Sequence, residues 1–176
     1  MNNIYLTGFM GTGKSTVAKA LQEFIPFQII EMDSTIEMSI NEIFEKYGED
    51  FFRNSETRLL KLISEADHQI VSTGGGIVLR NENTDIMKKS GTVIWLRATA
   101  KSVYERVTKD ETRPLLKNRK SVEDIQSMMD QRLEAYAKAS EITVDVDDKN
   151  PVEIASEIVT QLALLDRLTW FDLCII

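Results

Sequence analysis

Residues 7–16 read TGFMGTGKST, and Gly8, Gly13, Lys14 and Ser15 within them hold the spacing G-x-x-x-x-G-K-[ST]. A loop of this kind, placed between a strand and a helix, aims successive backbone N–H groups at phosphate oxygens. The helix N-terminus adds its positive end. The lysine brings a point charge to the outer phosphates, and the serine hydroxyl offers a ligand to Mg²⁺. The chemistry is the binding of a nucleoside triphosphate, with Gly11, Thr12, Gly13, Lys14, Ser15 and Thr16 as the cradle. Kinases, GTPase switches and motor ATPases all use such a loop. A GTPase also needs a guanine-reading N/T-K-x-D. The nearest string, Thr108-Lys109-Asp110-Glu111, has its Asp one place early and follows a helix. A mechanical ATPase needs a longer chain and a hydrophobic strand ending in Asp-Glu, which is missing here. A small kinase is the class that remains, and the acceptor of the phosphate is the open question.

The loop works only if elements on either side hold it. Asn3–Thr7 reads as a buried strand, and a helix runs from Lys14 to about Phe24. Phe27–Met32 is a second strand. Ser39-x-x-Glu42 is a capping-box pattern opening a short helix that Gly48 ends. From Glu49 to Ala66, Phe52, Leu59, Leu60 and Ile63 recur at helical spacing. A third strand, Gln69–Ser72, runs into Gly74-Gly75-Gly76. Asn83–Lys89 is helical, Thr92–Leu96 is a fourth strand, and Ala100–Thr108 is another helix. The polar stretch Lys109–Lys120 is a loop. Ser121-x-x-Asp124 caps a helix reaching about Ala139, Glu141–Val146 alternates as a fifth strand, and Asn150-Pro151 opens the last helix. Strands alternating with helices imply an α/β fold, one parallel sheet covered on both faces. Ligands of such sheets sit beyond the carboxyl ends of the strands. Those positions are the glycine loop, Glu31 to Ser34, and Gly74 to Gly76.

The 176 residues favour one domain with a sizeable core. A net charge of −7 disfavours non-specific binding to nucleic acid or an anionic membrane surface. Any anionic ligand must then be held by a few local Arg and Lys side chains. The single Cys, Cys174, excludes an internal disulfide framework and a Cys-rich zinc site. No apolar run reaches the ~20 residues of a membrane helix, and MNNIYLTGFM lacks a basic leader region. The expectation is a cytoplasmic monomer with no nucleic-acid or membrane partner.

Six motifs in order resemble the shikimate kinase family: GFMGTGKST at 8–16, E-x-D at 31–33, IFEKYGEDFFRNSE at 43–56, STGGG at 72–76, TRPLL at 112–116 and R-x-x-x-Y at 132–136. The first is shared by many phosphate-binding loops. The combination of G-E-x-x-F-R-x-x-E, a triple glycine and R-P-L-L is far more specific. The resemblance implies a three-layer α/β/α P-loop kinase with a five-stranded parallel sheet. It implies an acceptor-binding helical region at about 33–60 and a lid at about 109–121. It implies transfer of the γ-phosphate of ATP to the 3-hydroxyl of shikimate, with Mg²⁺, as a step toward chorismate and aromatic amino acids. Asp33 matches the acid that binds the shikimate hydroxyls and orients or deprotonates the nucleophile. Arg53 and Arg132 match the arginines on the shikimate carboxylate, and Gly75 and Gly76 the glycines whose backbone faces it. Arg113 matches the lid arginine on the phosphates, and Arg106 and Pro151 the positions flanking adenine. Glu31 stands where the family usually has Asp, in the magnesium shell with Ser15.

Singly, these residues have plainer readings. Arg53 three places before Glu56 reads as a solvated ion pair. Arg132 between Asp130 and Glu134 reads as surface, Arg113 as a loop charge, Gly74–Gly76 as a turn, and Asp33 as a helix N-cap. Their places within one six-motif pattern favour the functional reading. His68 reads as a surface residue, and Tyr5 and Trp95 as core. The apolar end at about 168–176, with Trp170 and Phe171, reads as docked on the final helix. A gluconate or nucleotide kinase, or a regulatory nucleotide binder, is the alternative.

Overall fold

The computed structural model describes residues 2–35, 40–107 and 121–168. Ser39, the lid stretch with Arg113, and the apolar end after Leu168 lie outside these described residues.

Five strands carry the fold: β1 (Asn3–Thr7), β2 (Gln28–Glu31), β3 (Gln69–Ser72), β4 (Gly91–Arg97) and β5 (Ile142–Asp145). They form one parallel sheet in the order β2-β3-β1-β4-β5. Helices follow each strand: α1 (Lys14–Gln22), the one-turn α2 (Met32–Thr35), α3 (Ile40–Ile63), α4 (Asn81–Ser90), α5 (Ala100–Val107), α6 (Val122–Ala139) and α7 (Pro151–Leu164). Among the described residues, no helix is long and apolar enough to cross a membrane.

The central strands are buried on both faces, as a parallel sheet between helical layers requires. The period-2 alternation of β1 assigns its residues to the two sides. Ile4 and Leu6 join Val17 and Leu21 of α1 and Ile154 and Ile158 of α7. Tyr5 turns the other way, to Leu60 of α3, Met87 of α4 and Tyr136 of α6.

The chain leaves β1 toward one edge, to β2, and leaves β3 toward the other side, to β4. These diverging connections open a crevice between the carboxyl ends of β1 and β3, the place where such sheets bind ligands.

Two local features depart from simple periodicity. Gly48 breaks α3 with φ 81° and ψ 173°, so Ile40–Ile63 is two helices meeting at a kink. The expected stop at Gly48 is therefore there, and a second helix starts directly after it. Asp33 is the second residue of α2, in its first turn, rather than an N-cap. Four residues are too few for helical periodicity to register in a sequence. At the far end, Asn150 is the N-cap and Pro151 opens the helix, as the Asn-Pro pair predicts, and Glu153 completes a capping box. His68 is exposed and stacks edge-on against Phe27.

Candidate active site

The loop between β1 and α1 enters the helix through Gly13, whose φ of 91° is the left-handed conformation glycine adopts without steric cost. The Lys14 ammonium lies over this loop, donating to the carbonyls of Gly8 at 2.9 Å and Phe9 at 3.2 Å. Thr12 is buried and donates to Phe9 O at 2.9 Å, which ties the loop to itself. Ser15 and Thr16 are exposed at the start of α1. Arg106, near the end of α5, donates to Gly11 O at 3.3 Å and so lies against the outside of the loop. Pro151 opens α7, the helix packed on α1.

Ser15 Oγ donates to Glu31 Oε2 at 2.8 Å and lies 3.3 Å from Ser72 Oγ. The first turn of α1 and the ends of β2 and β3 thus bring three oxygen-bearing side chains to one point. The Glu31 side chain, one methylene longer than an aspartate, touches Ser15 directly. Hard oxygen donors, few in number, suit Mg²⁺, which keeps most of its water shell and takes one or two protein ligands. The donor set fits that ion.

The segment Gly74–Gly76 is where the loop meets the rest of the site. A methyl group at Gly75 would stand 3.3 Å from Met10 N and 3.5 Å from Gly8 O. One at Gly74 would collide with Glu56 at 2.6 Å and touch Asp33 Oδ1 at 3.0 Å. One at Gly76 would stand 2.6 Å from Arg53 Nη2. Only glycine allows this backbone to run between the phosphate loop on one side and an acid and an arginine on the other. Thr73 anchors the segment by donating its hydroxyl to Leu6 O at 2.9 Å.

Arg53 is 8% exposed and Glu56 is 2% exposed. The plain reading of Arg53 as a solvated pair therefore fails. Nη1 donates to Glu56 at 2.5 Å, and Nη2 reaches Glu49 at 3.2 Å. Phe52, Arg53, Glu56, Thr57 and Leu60 share the inward stripe of the second half of α3. Burial raises the Glu56 carboxyl above its ordinary range against the pull of Arg53, and the nearby Asp33 charge adds to the rise. Glu56 is the site residue that sequence reasoning missed. Its signal was legible: an acid inside the apolar stripe of Phe52, Leu60 and Ile63.

Arg132 and Tyr136, one turn apart on α6, reach the same segment from the opposite wall. Arg132 Nη1 lies 3.4 Å from Gly75 O, and its guanidinium packs over the Phe9 ring at 5.4 Å. Tyr136 donates to Gly75 O at 2.5 Å and stacks on Trp95 with ring centroids 5.6 Å apart. Burial pushes its hydroxyl up to about 12, against the pull of Arg132, so it keeps its proton and donates at neutral pH.

Lys14, Ser15, Glu31, Asp33, Arg53, Gly75, Gly76 and Arg132 thus border one crevice. Two arginines and a lysine stand around a short glycine backbone, with an exposed carboxylate at Asp33. A planar guanidinium pairs with a carboxylate in two-point fashion, which a lysine does not.

The family model described as shikimate kinase matches residues 10–163. A shikimate kinase of Thermodesulfovibrio yellowstonii is 39% identical over 171 residues, 95% of this chain and 98% of that protein. The solved shikimate kinase of Acinetobacter baumannii, in complex with shikimate, aligns with a TM-score of 0.87 at 28% identity over 96% of each chain. That of Aquifex aeolicus aligns with a TM-score of 0.80 at 34% identity, over 93% of this chain and 98% of the other.

Proposed function

This chain belongs to the shikimate kinase family, and on that premise we propose how its residues divide the reaction. It transfers the γ-phosphate of ATP to the 3-hydroxyl of shikimate, giving ADP and shikimate 3-phosphate, in aromatic amino-acid biosynthesis. The observation that carries the division is the position of Gly74–Gly76, which touches the phosphate loop through Gly75 and the Arg53–Glu56–Asp33 cluster through Gly74 and Gly76.

The loop Gly11–Thr16 holds the triphosphate through its backbone and the Lys14 ammonium. Arg106 and Pro151 flank the adenine. Arg53 and Arg132 take the shikimate carboxylate, Arg53 with its fork held by Glu56 and Glu49. Asp33 accepts hydrogen bonds from the ring hydroxyls and receives the proton of the 3-hydroxyl as its oxygen attacks phosphorus. The bond from the γ-phosphorus to the bridging oxygen breaks, and ADP leaves with the electron pair. Lys14 and Arg113 neutralise the charge that builds on the transferred group. Ser15 and Glu31 hold Mg²⁺, which when bound screens the phosphate oxygens.

A compact acceptor bearing one carboxylate and several hydroxyls suits two arginines and one exposed acid better than a nucleotide does. ADP release measured with shikimate, gluconate, nucleoside monophosphates and no acceptor tests this. Turnover is expected with shikimate and near background with the rest. Equal turnover with gluconate or without acceptor contradicts it.

A further inference from the structure

We propose that Tyr136 is a positioning residue for the acceptor pocket, its hydroxyl clamping the Gly75 carbonyl so that the Gly75–Gly76 peptide presents a fixed face to the acceptor. The inference rests on the shikimate-binding reading of the site and adds a residue to it.

The geometry has three parts. Tyr136 donates to Gly75 O at 2.5 Å. Its ring is buried and lies within 9° of parallel to Trp95, so the hydroxyl has little freedom to move. Arg132, one turn earlier on α6, contacts the same carbonyl at 3.4 Å.

A trans peptide points its carbonyl and the following N–H in opposite directions. Holding Gly75 O therefore sets the direction of Gly76 N–H, on the residue that packs against the Arg53 guanidinium. The two donors also differ in kind. The Tyr136 bond is short and made by a locked ring, whereas the Arg132 contact is long and made by a side chain with other donors to spare. When Arg132 turns to an incoming carboxylate, Tyr136 keeps the Gly75 carbonyl satisfied. Without that hydroxyl, Arg132 must choose between the carbonyl and the acceptor. A purely packing role for the ring needs no hydroxyl, and phenylalanine fills it equally well.

Tyr136→Phe separates these roles because it keeps the stack on Trp95. Calorimetric titration with shikimate and with ATP, alongside the KM of each, is the measurement. The expected result is a five- to tenfold weaker shikimate Kd and KM (about the worth of one buried hydrogen bond) with ATP binding within twofold. Unchanged shikimate affinity overturns the proposal, and so does equal weakening of both ligands or loss of a cooperative unfolding transition. Tyr136→Leu removes ring and hydroxyl together and is expected to weaken shikimate binding at least as much, with lower stability. Wild-type-like shikimate affinity in that variant also overturns the proposal. The unaltered chain is titrated in parallel. Its failure to bind shikimate sinks the shikimate reading itself, and the role of Tyr136 with it. Tight binding by the unaltered chain with no change in Tyr136→Phe sinks only the role of Tyr136.

Discussion

Arg53 Nη1 lies 2.5 Å from Glu56 Oε2, and both side chains are buried beside Gly74 and Gly76. The pair holds one guanidinium edge, which leaves the arginine oriented before any acceptor arrives. Removing the acid strands a buried charge. Glu56→Ala is expected to cost about 3 kcal/mol of stability, the low end of the usual range because Glu49 retains its contact. Shikimate affinity is expected to fall at least tenfold. Thermal unfolding and titration check both, and an unchanged melting temperature contradicts the buried-pair account.

Gly76→Ala places a methyl group on the Arg53 fork, 2.6 Å from Nη2. Arg53 must move, and misplacement of this size costs roughly 100-fold in rate. The expected outcome is a fall of that order in kcat/KM for shikimate with ATP affinity preserved. Steady-state kinetics with each substrate varied in turn distinguish this from a general loss of fold.

Ser15 and Glu31 are joined at 2.8 Å where an oxygen-bound Mg²⁺ fits. Chelation with EDTA is expected to stop turnover, and added Mg²⁺ to restore it. Glu31→Ala is expected to raise the Mg²⁺ concentration for half-maximal activity by about tenfold, with Glu31→Asp intermediate. Direct Mn²⁺ binding followed by paramagnetic resonance gives the same ranking without turnover. Identical metal dependence in all three proteins would exclude Glu31 from the shell.

Arg97 and Asp145 form a two-point pair at the ends of β4 and β5, with distances of 2.5 and 2.8 Å. The hydrogen bond from Arg97 holds the Asp145 carboxyl below its ordinary range. A depressed folded value means the stabilisation is present above about pH 4 and is lost as pH falls through the folded value. Both side chains are substantially exposed, so the pair is worth less than about 1 kcal/mol. Asp145→Asn should lower the melting temperature slightly at pH 7 in low salt. The gap should close in acid and shrink in high salt, and a gap independent of pH excludes this origin.

Much of the fold was legible because strand and helix signals alternate cleanly and the N-termini of α6 and α7 carry caps, Ser121 and Asn150. The strand ends were legible too: the glycine loop, Glu31 to Asp33 and the triple glycine all lie at the crevice. Two things were not. The state of Arg53 depends on which side of α3 faces the sheet after the break at Gly48, and an i,i+3 spacing to an acid looks the same on either side. The role of Tyr136 depends on a carbonyl 61 residues away in sequence, so only the folded chain brings donor and acceptor together.

In the proposed reaction the phosphate held by the loop passes to shikimate. Its most direct test is product identification by phosphorus and proton NMR after incubation with ATP, Mg²⁺ and shikimate. One ADP per shikimate consumed is expected, with a single new phosphate ester coupled to the proton at carbon 3. ADP release without shikimate consumption, or a phosphate on another oxygen, would contradict it.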